Sequence, residues 1–441
     1  MPAALKRDVS HADPKACASL SIFLTSLPFV MVALHTTKSM LNADKALALI
    51  LHEAKPLQRE RVRLRKAAGR TLAEDILAKE NVSPFDNSSM DGFAVRSADL
   101  ATATKRKPAL LTIVGESSAG KPFARTLGTG ETVRVMTGAM IPQGVDAVVP
   151  LEMVKELEPG RVAFQAPCAI GANIRRAGED IRKGERVLTK GTLLTPAHVA
   201  VLASLGYARV RVTRKPKVNI LATGDELVAP DETPGEGQIR NSSSYALAGY
   251  VEHAGGEATI LGIVKDRKRK IRKAVASALA CDLLLVSGGV SVGKYDLVKD
   301  VFARVGVELK FWRVNIKPGK PLAFGTYKNT LVFGLPGNPA STGVTFLTFV
   351  RPALLAMLGQ PFVPPLRMTA ILDQGLEKHD AKRHYVRGIV TSANGVLHVR
   401  TTGTQSSGVM SSMAKANCFI ILRESDSSVR KGSRVEIEMI P

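Results

Sequence analysis

Cys281–Asp296 reads CDLLLVSGGVSVGKYD, an apolar run of strand length that stops in a glycine-rich turn. A run without polar alternation suits a strand buried on both faces, as in a parallel sheet covered by helices. Three further runs share the pattern: KVNILATG (Lys217–Gly224), ATILGIV (Ala258–Val264) and LVFGLPG (Leu331–Gly337). Amphipathic helical segments separate the first three runs and follow the last, so residues 216–360 are expected to form a mostly parallel α/β domain. In such sheets ligands bind at the carboxyl ends of the strands. The unusual loops fall at those ends: TGDEL (Thr223–Leu227), SGGVSVGKYD (Ser287–Asp296) and GLPGNPAS (Gly334–Ser341).

The middle loop begins two catalytic patterns and completes neither. Gly288–Lys294 spells the start of a phosphate-binding loop, but Tyr295 stands where that loop needs a hydroxyl for magnesium. Gly289–Gly293 spells a nucleophile elbow around Ser291, yet the downstream histidines (His379, His384, His398) all lie beyond a proline-rich linker. Asp296, with Asp225 and Glu226 on a sister loop, can supply the missing metal ligands. What the residues themselves imply is a site for a phosphate-bearing anion, built from glycine loops (Gly288, Gly289, Gly293), carboxylates for a divalent cation, and the lysines Lys317 and Lys320.

Composition narrows the field. The 441 residues, 45% hydrophobic, allow two to four domains with their own cores. Four scattered cysteines form no C-x-x-C pair, which fits a reducing, cytoplasmic setting, and the histidines lack metal-ligand spacing. The net charge of +22 favours anionic partners. Its densest run, KDRKRKIRK (Lys265–Lys273), has seven basic residues against one acidic and reads as the solvated face of a helix. Aromatic residues are 5% of the chain and do not interleave with the basic ones, so neither stacking platforms nor a nucleic-acid partner is expected.

Along the chain, residues 16–34 carry no charge and resemble a signal peptide or short span, but Pro28 and the hydroxyl residues weaken a span and no small-residue cleavage site follows. Residues 1–38 therefore read as a disordered or non-native leader, with Met31 or Met40 as the functional start and no membrane role. LNADKALALILHEAKP (Leu41–Pro56) predicts a helix capped by Asn42. Residues 60–215 show short β-branched runs between Gly and Pro turns, and residues after Pro361–Pro365 alternate as a small barrel or sandwich. The expected division is a domain I of residues 39–65 and 165–215, a β-rich domain II of 66–164, an α/β domain III of 216–360 and a barrel domain IV of 361–441.

Seven blocks carry a resemblance. SPFDNSSMDGFAV (Ser83–Val95), RVMTGAMIPQGVDAVVPLE (Arg134–Glu152), NIRRAGEDIRKGE (Asn173–Glu185), ATGDEL (Ala222–Leu227), SGGVSVGKYD, KPGKPLAFG (Lys317–Gly325) and GLPGNPAS are, in order, similar to the molybdopterin molybdenumtransferase family, which includes bacterial MoeA and the E domain of gephyrin. The resemblance implies a cytoplasmic homodimer that takes molybdate and adenylylated molybdopterin, uses Mg2+, and yields molybdenum-loaded molybdopterin and AMP. The molybdopterin adenylyltransferase and molybdoenzyme chaperones would be its partners; a gephyrin-like scaffold is the alternative on the same fold. By position it assigns catalytic roles to Asp91, Asp180, Glu226, Asp266, Asp296 and Lys317, with Asp225, Glu226 and Asp296 on the metal. Asp91, Thr137 and Asp180 would reach the cleft from the partner subunit. Substrate contacts would come from Thr137, Gly288, Gly289, Ser291, Gly293, Arg313, Lys320, Pro336 and Pro339, and from Arg387 and Ser407 in the barrel. Arg313 stands where the family commonly has lysine.

Overall fold

Every second residue of the central strand faces a different core. In the computed structural model, which describes residues 40–289 and 297–441, Leu283 and Leu285 enter one hydrophobic cluster while Leu284 and Val286 enter another. The readings of residues 1–38 and of Ser291, Gly293, Lys294 and Asp296 lie outside the described residues. The domain III sheet comprises β1 (Lys217–Thr223), β2 (Glu257–Val264), β3 (Leu283–Ser287), β4 (Glu308–Trp312), β5 (Ala323–Tyr327) and β6 (Thr330–Leu335). Their order is β2-β1-β3-β6-β5-β4. The pairs β1–β2, β1–β3 and β3–β6 are parallel, and only β5 runs against its neighbours. All five residues of β3 and all six of β6 are buried, which requires cover on both faces.

Helices supply that cover. Ser243–His253, the opening helix Ala43–Glu53 and the run Pro339–Met357 pack on one face, Lys268–Ala278 and Leu297–Arg304 on the other. The opening helix starts where expected, because the Asn42 side chain accepts the Asp44 N–H at 2.8 Å. The run Pro339–Met357 is long and apolar enough to cross a bilayer, but 72% of it is buried against the sheet and barrel, as a core helix would be. It widens to a π-helix over Phe346–Val350, just before Pro352, whose missing N–H interrupts regular α pairing.

The N-terminal region is β-rich. A six-stranded sheet runs in the order Ala147–Pro150, Gly92–Val95, Glu131–Val135, Ala109–Ser117, Arg161–Phe164, Val154–Leu157. A separate cluster joins Ala67–Ala78 to Ile181–Val212, beside the antiparallel pair Arg59–Arg63 and Arg209–Thr213. The C-terminal region is a closed five-stranded barrel: Arg383–Ala393, Val396–Thr401, Arg367–Leu372, Arg434–Met439 and Cys418–Leu422, which returns to Arg383–Ala393. Closure leaves no exposed strand edge within the ring. Ile316–Lys317 adds to it in parallel with Arg383–His384, tying barrel to sheet. Tyr385, Phe419 and Ile421 of the barrel share the core of the α/β domain.

Candidate active site

A cavity of about 300 Å³ opens at the carboxyl edge of the sheet, where sequence reasoning expects it. Its walls come from all four parallel strands: Thr223 and Glu226 after β1, Asp266 after β2, Ser287–Gly289 at the end of β3, and Pro336–Pro339 after β6. The Ile239–Ser243 segment and Pro321 complete them. Glycine is required at the centre. Gly288 has φ +96°, and a Cβ there would sit 2.2 Å from the Thr223 carbonyl oxygen. Gly337 packs against it in ordinary contact, since a Cβ there would come 3.5 Å from the Gly288 Cα.

The loops are pinned to one another. The Gly288 N–H donates to Leu335 O at 3.0 Å, Thr342 Oγ1 to Pro336 O at 2.6 Å, and Ser243 Oγ to Gly337 O at 3.3 Å. Ser407 reaches over from the barrel region: its Oγ accepts Asn338 Nδ2 at 2.9 Å, and its carbonyl accepts the Ala340 N–H at 3.1 Å. Arg387 lies behind it, 1% exposed inside the barrel, donating through Nη2 to Ser406 O at 3.0 Å and through Nε to Ser412 Oγ at 3.2 Å. Arg387 thus braces the Ser407 loop and does not line the cavity.

Acids dominate the β1–β2 corner. The Asp266 N–H donates to Asp225 Oδ1 at 3.2 Å, and Lys265 Nζ donates to the Asp225 carbonyl at 2.8 Å. Burial, then the nearby charges of Glu226 and Asp225, push the Asp266 carboxyl above its usual range. Asp266 Oδ1 is buried without a hydrogen-bond partner, and so is Thr223 Oγ1, 2% exposed at residue level. Among the described residues no three acidic, His or Cys side chains converge closely enough to hold a metal ion by themselves.

The remaining expected residues divide. Pro336, Pro339, Gly288, Gly289, Glu226 and Asp266 line the cavity, and Asp225 sits behind Asp266. Lys317 is exposed and Lys320 half-buried on the loop that carries Pro321. Arg313, at φ +83°, lays its guanidinium 3.9 Å from the Trp312 ring centre and keeps a buried Nε without a hydrogen-bond partner. Asp91, Thr137 and Asp180 do not line the cavity of their own chain. Asp91 Oδ1 accepts the Thr137 N–H at 2.7 Å and its Oγ1 at 2.9 Å, and these bonds hold the exposed carboxyl below its usual range. Thr223, Asn241, Ser243 and Ser287 line the cavity without having been singled out in the sequence. For Thr223 and Ser287 the signal was present, since each is the last strand residue before a glycine.

Three family models cover most of the chain: the MoeA N-terminal region (domains I and II) over residues 41–206, a probable molybdopterin binding domain over 219–356, and the MoeA C-terminal region (domain IV) over 369–440. A Haemophilus influenzae protein named molybdopterin molybdenumtransferase is 40% identical over 403 residues, 90% of this chain and 98% of its own length. A Bacillus subtilis protein of the same name is 35% identical over 407 residues, 91% of this chain and 95% of its own. Among solved structures, a molybdopterin biosynthesis MoeA protein from Pyrococcus horikoshii superposes with a TM-score of 0.77 at 34% identity, covering 91% of this chain and all of that one.

Proposed function

This chain belongs to the molybdopterin molybdenumtransferase family, and we propose that its domain III cavity converts adenylylated molybdopterin and molybdate into molybdenum-bearing molybdopterin and AMP. The observation that carries this reading is the Asp266 carboxylate: half-buried, crowded by two other acids, one oxygen without a partner, at the edge of a cavity walled by glycine loops. An acid left in that state costs stability unless a ligand uses it.

The donor set fits Mg2+ in kind. Asp225, Glu226 and Asp266 offer only carboxylate oxygens, the ligands a hard cation takes, and Asp266 Oδ1 has no hydrogen-bond partner to compete for it. Asp296, which follows β3 in the sequence, would add a further carboxylate, and phosphate oxygens would complete the set. When bound, Mg2+ supplies charge neutralisation on the phosphoanhydride as it breaks. The chain's own groups do the rest. The main-chain N–H groups of Gly289 and Gly337 can approach phosphate oxygens because no Cβ blocks them, while the Gly288 N–H is held by Leu335 O. Lys317, Lys320 and Arg313 present positive charge to the oxyanion, Arg313 with a planar fork in place of lysine's point charge. Ser407, braced by Arg387, fixes the β6 loop through Asn338.

The working unit we propose is a cytoplasmic homodimer in which Asp91, Thr137 and Asp180 of one subunit complete the other's cavity. Their exposure and their absence from the cavity of their own chain support this. Purified protein given adenylylated molybdopterin, Mg2+ and molybdate should release AMP and yield cofactor that activates a molybdoenzyme lacking it. No AMP release from authentic substrate would end the reading. A monomeric mass by light scattering at micromolar concentration would remove the shared site.

A further inference from the structure

The basic side chains that follow Asp266, Arg267–Lys273, have no role in the machinery described above, yet the run starts inside it. Lys265 Nζ is tied to the Asp225 and Leu227 carbonyls, Asp266 lines the cavity, and the helix Lys268–Ala278 begins two residues on. Its apolar stripe, Ile271, Val275 and Ala278, is buried on the sheet, which turns the basic side chains outward. Arg267, Lys268, Arg269, Lys270, Arg272 and Lys273 are all exposed. Lys268 pairs with Asp300 at 2.9 Å; Arg269, Lys270, Arg272 and Lys273 form no ion pair among the described residues.

The position makes this charge consequential. With a rise of about 1.5 Å per residue, Arg269 to Lys273 span only about 6 Å of a helix that begins two residues after Asp266. That is of the order of the Debye length of about 10 Å at 0.1 M salt, so the field of its first turns reaches the cavity mouth. The cavity itself is walled by Glu226 and Asp266 with Asp225 behind, a local field that repels anions. A dianion and a phosphoanhydride entering past three carboxylates are helped by an opposing field outside them. We propose that the outward face of helix Lys268–Ala278 is an electrostatic collecting surface that concentrates the anionic substrates at the cavity mouth. It acts on encounter and not on the chemical step. This rests on the reading of the cavity as the site for adenylylated molybdopterin and molybdate.

The test neutralises the face without touching the cavity: Arg269→Gln, Lys270→Gln, Arg272→Gln and Lys273→Gln together. Glutamine has a helix propensity close to that of lysine and arginine, so the fold is retained. At low ionic strength kcat/KM for AMP release should fall about tenfold while kcat is unchanged, and the decline of kcat/KM with added salt expected of the native protein should flatten. A charge-conserving set (Arg269→Lys, Lys270→Arg, Arg272→Lys, Lys273→Arg) should match the native protein at every salt concentration. Equal kcat/KM in native and neutralised proteins at low salt would overturn the proposal, as would a native kcat/KM that ignores salt, or a loss confined to kcat. If the native protein releases no AMP, the proposed function falls, and stopped-flow association of a fluorescent AMP analogue decides the collecting surface by the same comparison.

Discussion

Two groups of acids in this molecule are treated in opposite ways. Where the opening helix meets the barrel, Asp44, Glu424 and Asp380 each have a cationic partner. Arg383 makes a bidentate bond to Asp44 at 2.6 and 2.7 Å and reaches Glu424 at 3.3 Å, while Asp380 accepts from Lys382 at 2.8 Å and meets His384 at 2.6 Å. The bond from Arg383 chiefly holds Asp44 below its usual range; Asp380 is held low against the pull of burial by Lys382 and His384. At the cavity, Asp225, Glu226 and Asp266 crowd together and Asp266 is driven up. Paired acids lock the opening helix to the barrel. Unpaired acids wait for a ligand. Net positive charge therefore does not mean that every acid is neutralised; the acids of the joint are paired, while Asp225, Glu226 and Asp266 at the cavity have no ion-pair partner among the described residues.

The largest break in the comparison should come from the cavity. Asp266→Asn should lower AMP release by roughly 10²-fold, through loss of one carboxylate of the proposed Mg2+ donor set. It should leave the melting temperature unchanged or slightly raised at neutral pH, because a carboxyl with a raised folded pKa is destabilising once ionised. Activity and a thermal melt on the same sample check both halves; a large drop in melting temperature would move Asp266 to the structural group. Gly288→Ala comes next. The φ of +96° and the 2.2 Å approach to Thr223 O force the turn to shift, so activity should fall by roughly 10²-fold through misplaced cavity walls. Arg383→Ala should do the reverse: about 2 kcal/mol of stability lost as Asp44 and Glu424 lose their partner, read by chemical denaturation, with kcat of the folded protein retained.

Much of this division was legible in the sequence, for particular reasons. CDLLLVSGG could be read as a two-faced strand because hydrophobicity at every position leaves few other solutions, and the glycines after it announced a close approach that Gly288 and Thr223 make. Asn42 announced the helix Ala43–Glu53 by its position. Asp266 was found through the resemblance, but its raised pKa was not foreseeable, since that depends on Asp225 and Glu226 folding beside it from a different loop. The Asp44–Arg383 pair, 339 positions apart, carries no local signature at all. Arg387 was expected at the substrate; the barrel buries it instead, and nothing in YVRGIV distinguishes an arginine turned inward from one turned outward. Thr223 and Ser287 went unmarked because hydroxyl residues before glycine are common in turns that bind nothing.

The smallest effect tests the barrel side by pH. Asp44→Asn leaves Arg383 with Glu424 alone, and because the Asp44 side chain is 70% exposed the loss should be under about 1 kcal/mol at neutral pH. Asp44 has a folded pKa below its unfolded value of 3.8, so its contribution is present above that value and disappears as the pH falls through the lower, folded pKa. The native protein and Asp44→Asn should therefore differ slightly at pH 7 and converge below the unfolded value, in a denaturation series taken down through acid. Asp266→Asn should show the opposite trend. The native carboxyl takes up its proton in the folded state before it would in the unfolded chain, so the gap between Asp266→Asn and native narrows already as the pH falls toward the raised folded pKa. Convergence of both variants over the same pH interval would mean that the two groups of acids differ only in location, and the contrast between joint and cavity would fail.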